Sequence, residues 1–195
     1  MREANNIKAL ATLNIDYLGM IFYPKSKRYI TNSPKVEMSK STKKVGVFVD
    51  EELEKVKAIA LEFGLKTIQL HGHESPDYCK KLQNSKLSII KVFHVDEQFN
   101  FEQTKAYEKV CDYFLFDTKG KQLGGNGIRF NWRCLDNYKG TIPFFLSGGI
   151  APEHAKALEE FEHPLLYGID INSKFEDAPA LKNIPKIQLF LNQLS

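Results

Sequence analysis

The sequence holds no apolar run near the roughly 20 residues that a bilayer-crossing helix requires, which sets a membrane span aside. Its first residues, Met1-Arg2-Glu3-Ala4-Asn5-Asn6, are polar and contain no signal-peptide core. Cysteine is scarce: Cys79, Cys111 and Cys134 are an odd number with no Cys-x-x-Cys spacing. That argues against a disulfide framework or a structural zinc site and for a reducing, cytoplasmic setting. The 5 histidines show no His-Glu-x-x-His or similar spacing, so no metal and no cofactor are expected. An excess of one charge is lacking too. The net charge is +3 and lysines alternate with acids, so no block reads as a nucleic-acid tail or a membrane-surface patch. No linker or low-complexity tract divides residues 1–195, a length that suits one domain.

What the sequence does have is alternation. Seven short apolar runs stand out: 16–23, 44–49, 67–70, 88–93, 113–116, 143–146 and 166–169. Each is rich in β-branched or aromatic residues and ends in polar or glycine punctuation, the pattern of buried strands. Helical periods lie between them. Asp50 is a candidate cap for a helix with Leu53, Val56, Ile59, Ala60 and Phe63 on one face and Gly64 as its stop. Pro152 opens another, and Ile184, Ile187, Phe190, Leu191 and Leu194 form the stripe of a last one. Residues 3–13 read as a helix with no strand ahead of it, and the stretch after Thr31 is a weaker candidate.

Buried strands alternating with helices imply an α/β fold with a parallel sheet covered on both faces. No glycine-rich turn follows the first strand, which favours a (β/α)8 TIM-type barrel over an open doubly wound sheet. A closed barrel needs eight strands and seven are legible. The expectation is a barrel lacking its first strand, whose place falls just ahead of Met1. Its open edges would leave a gap or invite self-association.

Barrel active sites lie where strands end at their C-termini, so the residues just past each run were read for chemistry. Ser147-Gly148-Gly149-Ile150 leads into Pro152. Those glycines either make a plain tight turn or let backbone N–H groups approach an anion at a helix start. Asp170-Ile171-Asn172-Ser173 follows the last strand, with Asn172 and Ser173 as donors beside the same anion. Loops after the last two strands are the usual phosphate grip of this architecture. Asp117 ends the 113–116 run and reads as an acid–base group or as a turn former. The glycines at 124, 125 and 127 that follow it suit backbone donation to phosphate. His71 is either an acid–base group or a polar residue lining the mouth. Arg28, in the basic loop 23–29, either forks a carboxylate or is solvated. Lys91 lies inside a strand and either points into the mouth or pairs with an acid. The three cysteines read as packing residues. The reading is of a site for a small sugar-phosphate.

Together these stretches resemble the phosphoribosylanthranilate isomerases of tryptophan biosynthesis. The resemblance rests on GMIFYPKSKRYI (19–30), KKVGVFVD (43–50), IQLHGHESPDYC (68–79), DYFLFDTKGKQLGGNGIRFNW (112–132), PFFLSGGIAPEHA (143–155) and YGIDINSKFE (167–176). It implies an Amadori rearrangement of N-(5-phosphoribosyl)anthranilate to 1-(2-carboxyphenylamino)-1-deoxyribulose 5-phosphate, without metal or cofactor. It implies that Asp117 is the general acid that opens the furanose, and that Arg28 lies near the anthranilate carboxylate. Gly125, Gly127, Gly148, Gly149, Asn172 and Ser173 would grip the phosphate, with Asp170 and His71 lining the site.

Two departures bear on activity. The family's general base is a cysteine at the tip of the first strand, and Met1-Arg2 is similar to the pair that follows it. That strand and its thiol are expected to be absent here, so binding without efficient turnover is expected. The loop after the last strand is Asn172-Ser173-Lys174 where the family has a pair of serines and a glycine. Two further readings are another sugar-phosphate barrel, such as an epimerase, and a phosphate-ligand binding protein without chemistry. The first would need a metal-ligand His/Asp set or a Lys/Glu catalytic pair, and neither stands in a convincing place.

Overall fold

A computed structural model describes residues 1–32, 34, 36, 42–118 and 132–194. Its frame is a seven-stranded sheet in the order β1-β2-β3-β4-β5-β6-β7. The strands are Tyr17–Ile21 (β1), Lys43–Phe48 (β2), Thr67–Leu70 (β3), Ser88–Val95 (β4), Tyr113–Thr118 (β5), Phe144–Ser147 (β6) and Leu166–Ile169 (β7). All six neighbour pairs are parallel. Sequential parallel order is what βαβ units dictate, because each crossover returns the chain to the strand's starting end. All seven expected strands are present, and the seven parallel strands fit a barrel with one strand missing.

Among the described residues no ladder joins β1 to β7. The free side of β1 is partly covered by its own chain. The Met1 amine donates to Gly19 O at 3.1 Å, and Ile30 N donates to Ile21 O at 3.0 Å. Two acceptors that would otherwise seek a partner strand are therefore occupied.

Period-two alternation sorts the side chains into two cores. Leu115, Val45, Ile90, Val92 and Phe145 fill the inner side of the curled sheet. Phe114, Phe116, Phe144, Ile68, Leu70 and Ile89 point the other way, under the helices. The helices are Ala4–Leu10 (α1), Leu53–Phe63 (α2), Pro76–Gln83 (α3), Ala155–Glu159 (α4) and Ile184–Gln193 (α5). Gly64 ends α2 in the left-handed conformation (φ 62°), as its position implies. Asp50 does not cap α2. The cap position falls at Glu52, while Asp50 takes φ 49° and its carboxylate accepts from His73 N. Ser75 and Asn183 do cap α3 and α5, accepting from Tyr78 N and Lys186 N. A short antiparallel pair, Glu176–Ala178 (β8) and Leu181–Lys182 (β9), follows β7. The weaker helix candidate after Thr31 falls mostly outside the described residues. No helix among the described residues is long and apolar enough to cross a membrane.

Candidate active site

The inner positions at the C-terminal ends of β3, β4 and β5 hold His71, His94 and Asp117. Sheet register places them: His94 lies directly opposite Asp117, and Asp117 directly opposite Ser147 on β6. Asp117 Oδ2 is 3.6 Å from His71 Nε2 and 3.3 Å from His94 Nδ1. His71 Nδ1 lies 3.3 Å from Gln69 Oε1, two residues back on the same face of β3. Burial by itself would raise the Asp117 pKa. The hydrogen bond and charge of His71, joined by His94, outweigh it and hold the carboxyl below its ordinary value.

The loop carrying His71 is pinned from outside the barrel. Lys91 points to the helix side of β4, not into the mouth, and its ammonium reaches Glu74 Oε2 at 3.0 Å, Gly72 O at 2.7 Å and Leu70 O at 3.2 Å. Glu74 in turn accepts from Asp50 N and Gly72 N, at 2.9 and 3.0 Å. One buried ion pair thus ties the ends of β2, β3 and β4 together. Of the two sequence readings of Lys91, pairing with an acid is the one observed.

On the opposite side, Ser147 Oγ donates to Asp170 Oδ2 at 2.8 Å, and Thr118 Oγ1 donates to Ser147 O at 2.9 Å. Burial pushes the Asp170 carboxyl up, with the Ser147 hydroxyl and Lys182 pulling the other way. Gly148 (φ 105°) and Gly149 (φ 64°) follow at once. At Gly148 a Cβ would collide with the carbonyl oxygen and amide of Thr118, so a side chain is sterically barred. The helix they lead into opens as a 3-10 turn, Pro152–His154, and α4 is only 5 residues long.

A third group closes the mouth beside β1. Arg28 forks onto Glu176, with Nε 2.8 Å and Nη2 2.6 Å from Oε2. Lys182 Nζ donates to Glu176 Oε1 at 3.0 Å, Asn172 Oδ1 at 2.7 Å and Asn172 O at 3.0 Å. The Glu176 side chain is only 4% exposed. Burial would raise its pKa, but Arg28 and Lys182 together hold it below the ordinary value. Burial also pushes the Lys182 ammonium down, with Glu176 opposing. Arg28 is therefore engaged with an internal acid, and Asn172 accepts from Lys182 through its side-chain oxygen. Ser173 is exposed at the start of a 3-10 turn.

A cavity of about 530 Å³ runs from these polar groups into the barrel and out between β1 and β7. Arg28, His71, Asp170, Asn172, Glu176 and Lys182 line its polar end, and Val45, Ile90, Leu115 and Phe145 its apolar end. The ten site residues read from the sequence divide into two groups. Asp117, His71, Asp170, Gly148, Gly149, Arg28, Asn172 and Ser173 all sit at the C-terminal mouth, while Gly125 and Gly127 lie outside the described residues. Cys79 and Cys111 are buried in the layer under the helices and Cys134 packs against it, as packing residues do. Sequence reasoning missed His94, Glu176 and Lys182. His94 was findable: it stands at an inner position two residues beyond Val92.

The model for the family "N-(5'phosphoribosyl)anthranilate (PRA) isomerase" matches residues 1–193. The N-(5'-phosphoribosyl)anthranilate isomerase of Phocaeicola vulgatus is 45% identical over 194 residues, covering 100% of this chain and 94% of the relative. A solved phosphoribosyl anthranilate isomerase in complex with reduced 1-(o-carboxyphenylamino)-1-deoxyribulose 5-phosphate is similar at a TM-score of 0.85 and 28% identity, covering 100% of this chain and 94% of that one. The enzyme from Thermotoga maritima gives a TM-score of 0.85 at 29% identity, with 100% and 95% covered.

Proposed function

The chain belongs to the N-(5'-phosphoribosyl)anthranilate isomerase family, enzymes of tryptophan biosynthesis, and from that membership we propose the roles of its residues. Asp117 gives the proton that opens the furanose ring of N-(5'-phosphoribosyl)anthranilate. A carboxyl at a strand tip, inside the mouth and on the cavity side of the sheet, has the position a general acid needs. Because His71 and His94 hold the free carboxyl below its ordinary value, it must take up a proton before it can give one, and His94 Nδ1, 3.3 Å from Oδ2, is placed to deliver it. The observation that carries this reading is the contact of the Asp117 carboxylate with two imidazoles, His94 on β4 and His71 just past β3.

The phosphate is held by the backbone at Gly148 and Gly149, with Asn172 and Ser173 beside it. The lack of a Cβ at Gly148 lets the chain fold tightly over Thr118, and N–H groups in such a turn suit an anion. The anthranilate ring takes the apolar end of the cavity. Its carboxylate lies toward Arg28, whose fork is otherwise spent on Glu176.

The step after ring opening needs a base at the sugar C2. The resemblance assigns that role to a thiol, and none of Cys79, Cys111 and Cys134 lies at the mouth. On this reading none of these three thiols is the base.

The test pairs two readouts on the same protein. Turnover is followed as loss of substrate fluorescence, and binding is titrated with the reduced product analogue. The parent protein is expected to bind the analogue, and Asp117→Asn to abolish turnover while binding persists. Unchanged turnover in Asp117→Asn would remove the assigned acid. Failure of the analogue to bind would remove the substrate class.

A further inference from the structure

We propose that the mouth binds one divalent transition-metal ion of the Zn²⁺ class through His71 Nε2, His94 Nδ1 and Asp117 Oδ2. The three donor atoms all lie within 4.8 Å of one another. Bonds of about 2.0–2.2 Å to a tetrahedral ion put neighbouring donors roughly 3.4 Å apart. The distances from Asp117 Oδ2, 3.3 and 3.6 Å, already match two edges of such a site. The remaining edge, His71–His94, is within 4.8 Å, and both rings stand at the rim, 31% and 45% exposed.

The backbone supplies the preorganisation. Asp117 and His94 are registered opposite each other on neighbouring strands, and His71 is one strand further along. The second ring nitrogen is provided for as well: Gln69 Oε1, 3.3 Å from His71 Nδ1, can accept the Nδ1 proton when Nε2 exchanges its own proton for a metal ion. An acceptor on the second ring nitrogen is the recurring outer partner of a metal-bound histidine. Imidazole nitrogens and a carboxylate suit Zn²⁺, Co²⁺, Ni²⁺ or Fe²⁺, whereas Mg²⁺ and Ca²⁺ favour oxygen alone. Three protein ligands leave a position open to water or to an oxygen of the substrate.

The family reaction is implied to need no metal, so this ion would inhibit. On the reading that Asp117 is the general acid, an ion on Oδ2 takes the lone pair that must carry the proton. The site itself does not rest on that reading, because occupancy is measured without turnover.

The experiment uses the chelator-stripped 195-residue protein. Co²⁺ is titrated and followed by visible absorption, and Zn²⁺ by calorimetry. One ion per chain with a tetrahedral Co²⁺ spectrum is the expected result. Gln69→Leu should weaken binding by about 10–100-fold, the usual effect of losing an outer-shell partner, and His94→Gln by at least as much. Cys134→Ser should change nothing, since no thiol is a ligand. Each variant is first checked for an unchanged denaturation midpoint. Binding that survives His94→Gln, or that disappears in Cys134→Ser, would overturn the site. So would the absence of stoichiometric binding in the parent protein. Asp117→Asn turnover tests the isomerase reading separately, so the two ideas fail by different results.

Discussion

Lys91 and Glu74 form an ion pair sealed from water, Nζ to Oε2 3.0 Å, with side chains 3% and 1% exposed. The pair holds the end of β4 to the loop that carries His71. Burying two charges is costly, and the pair is retained because each further polar atom is satisfied by backbone groups of β2 and β3. Replacing one partner strands the other. Glu74→Gln or Lys91→Met is expected to cost about 3–5 kcal/mol in unfolding free energy, measured by urea denaturation at neutral pH. The double variant Lys91→Met/Glu74→Leu should recover much of that loss. Stability equal to wild type in either single variant would mean that the pair is not what anchors the loop.

Gly148 predicts a sharper effect from a smaller change. Its φ of 105° is hostile to any side chain, and a Cβ would meet the Thr118 backbone, which cannot step aside. Gly148→Ala is expected to destabilise by about 1–3 kcal/mol and to lose affinity for the reduced product analogue, because the turn must open. Gly19→Ala is the contrasting case, since the nearest atom to its Cβ would be Val47 Cγ2 at 4.0 Å. Its unfolding midpoint should stay within error of wild type. Equal affinity in wild type and Gly148→Ala, read by titration calorimetry, would separate the turn from ligand binding.

Cys79 and Cys111 predict a chemical inertness. The neighbouring Cys79 sulfur and burial raise the Cys111 thiol well above the ordinary range, and Cys79, whose thiol the Cys111 hydrogen bond pulls below its ordinary value, is shielded by complete burial. Cys134 is half-buried, and burial raises its thiol as well. Modification of the native protein by an alkylating reagent at neutral pH should be slow at all three and should leave analogue binding unchanged. Rapid alkylation that abolishes binding would place a thiol in the site.

The strands were readable because each is a short apolar run cut off by polar residues, and a parallel sheet buried on both sides needs nothing subtler. Asp117 and His71 were readable for the same reason, as the first polar residues after a run. His94 satisfies the same rule, as the first polar residue after the 88–93 run, but was passed over; the strand continues to Val95, which makes it an inner strand position. Glu176 and Lys182 were hidden by distance along the chain. Arg28 meets Glu176 across 148 residues, and only curling the sheet brings β1 beside the segment after β7. Asp50 misled through local logic: it has the chemistry of a cap, but its carboxylate is drawn to His73 N on the neighbouring loop.

The Glu176 cluster predicts how stability responds to acid. One carboxylate faces two cations, Arg28 and Lys182, and its folded pKa is held below the ordinary 4.5. A carboxyl with a depressed folded pKa contributes stability that is fully present above the unfolded value and is lost as pH falls through the folded one. Unfolding free energy should therefore hold near neutrality and decline below about pH 4.5. Glu176→Gln removes that contribution and leaves the largely buried Lys182 and the partly exposed Arg28 facing an amide, at a cost of up to about 3 kcal/mol at pH 7. The gap between wild type and variant should narrow as pH is lowered, since protonation makes the wild-type carboxyl neutral as well. Urea titrations of both proteins at pH 7, 5 and 3.5 read this directly. A gap that stays constant over the range would show that the carboxylate charge is not what holds the mouth beside β1.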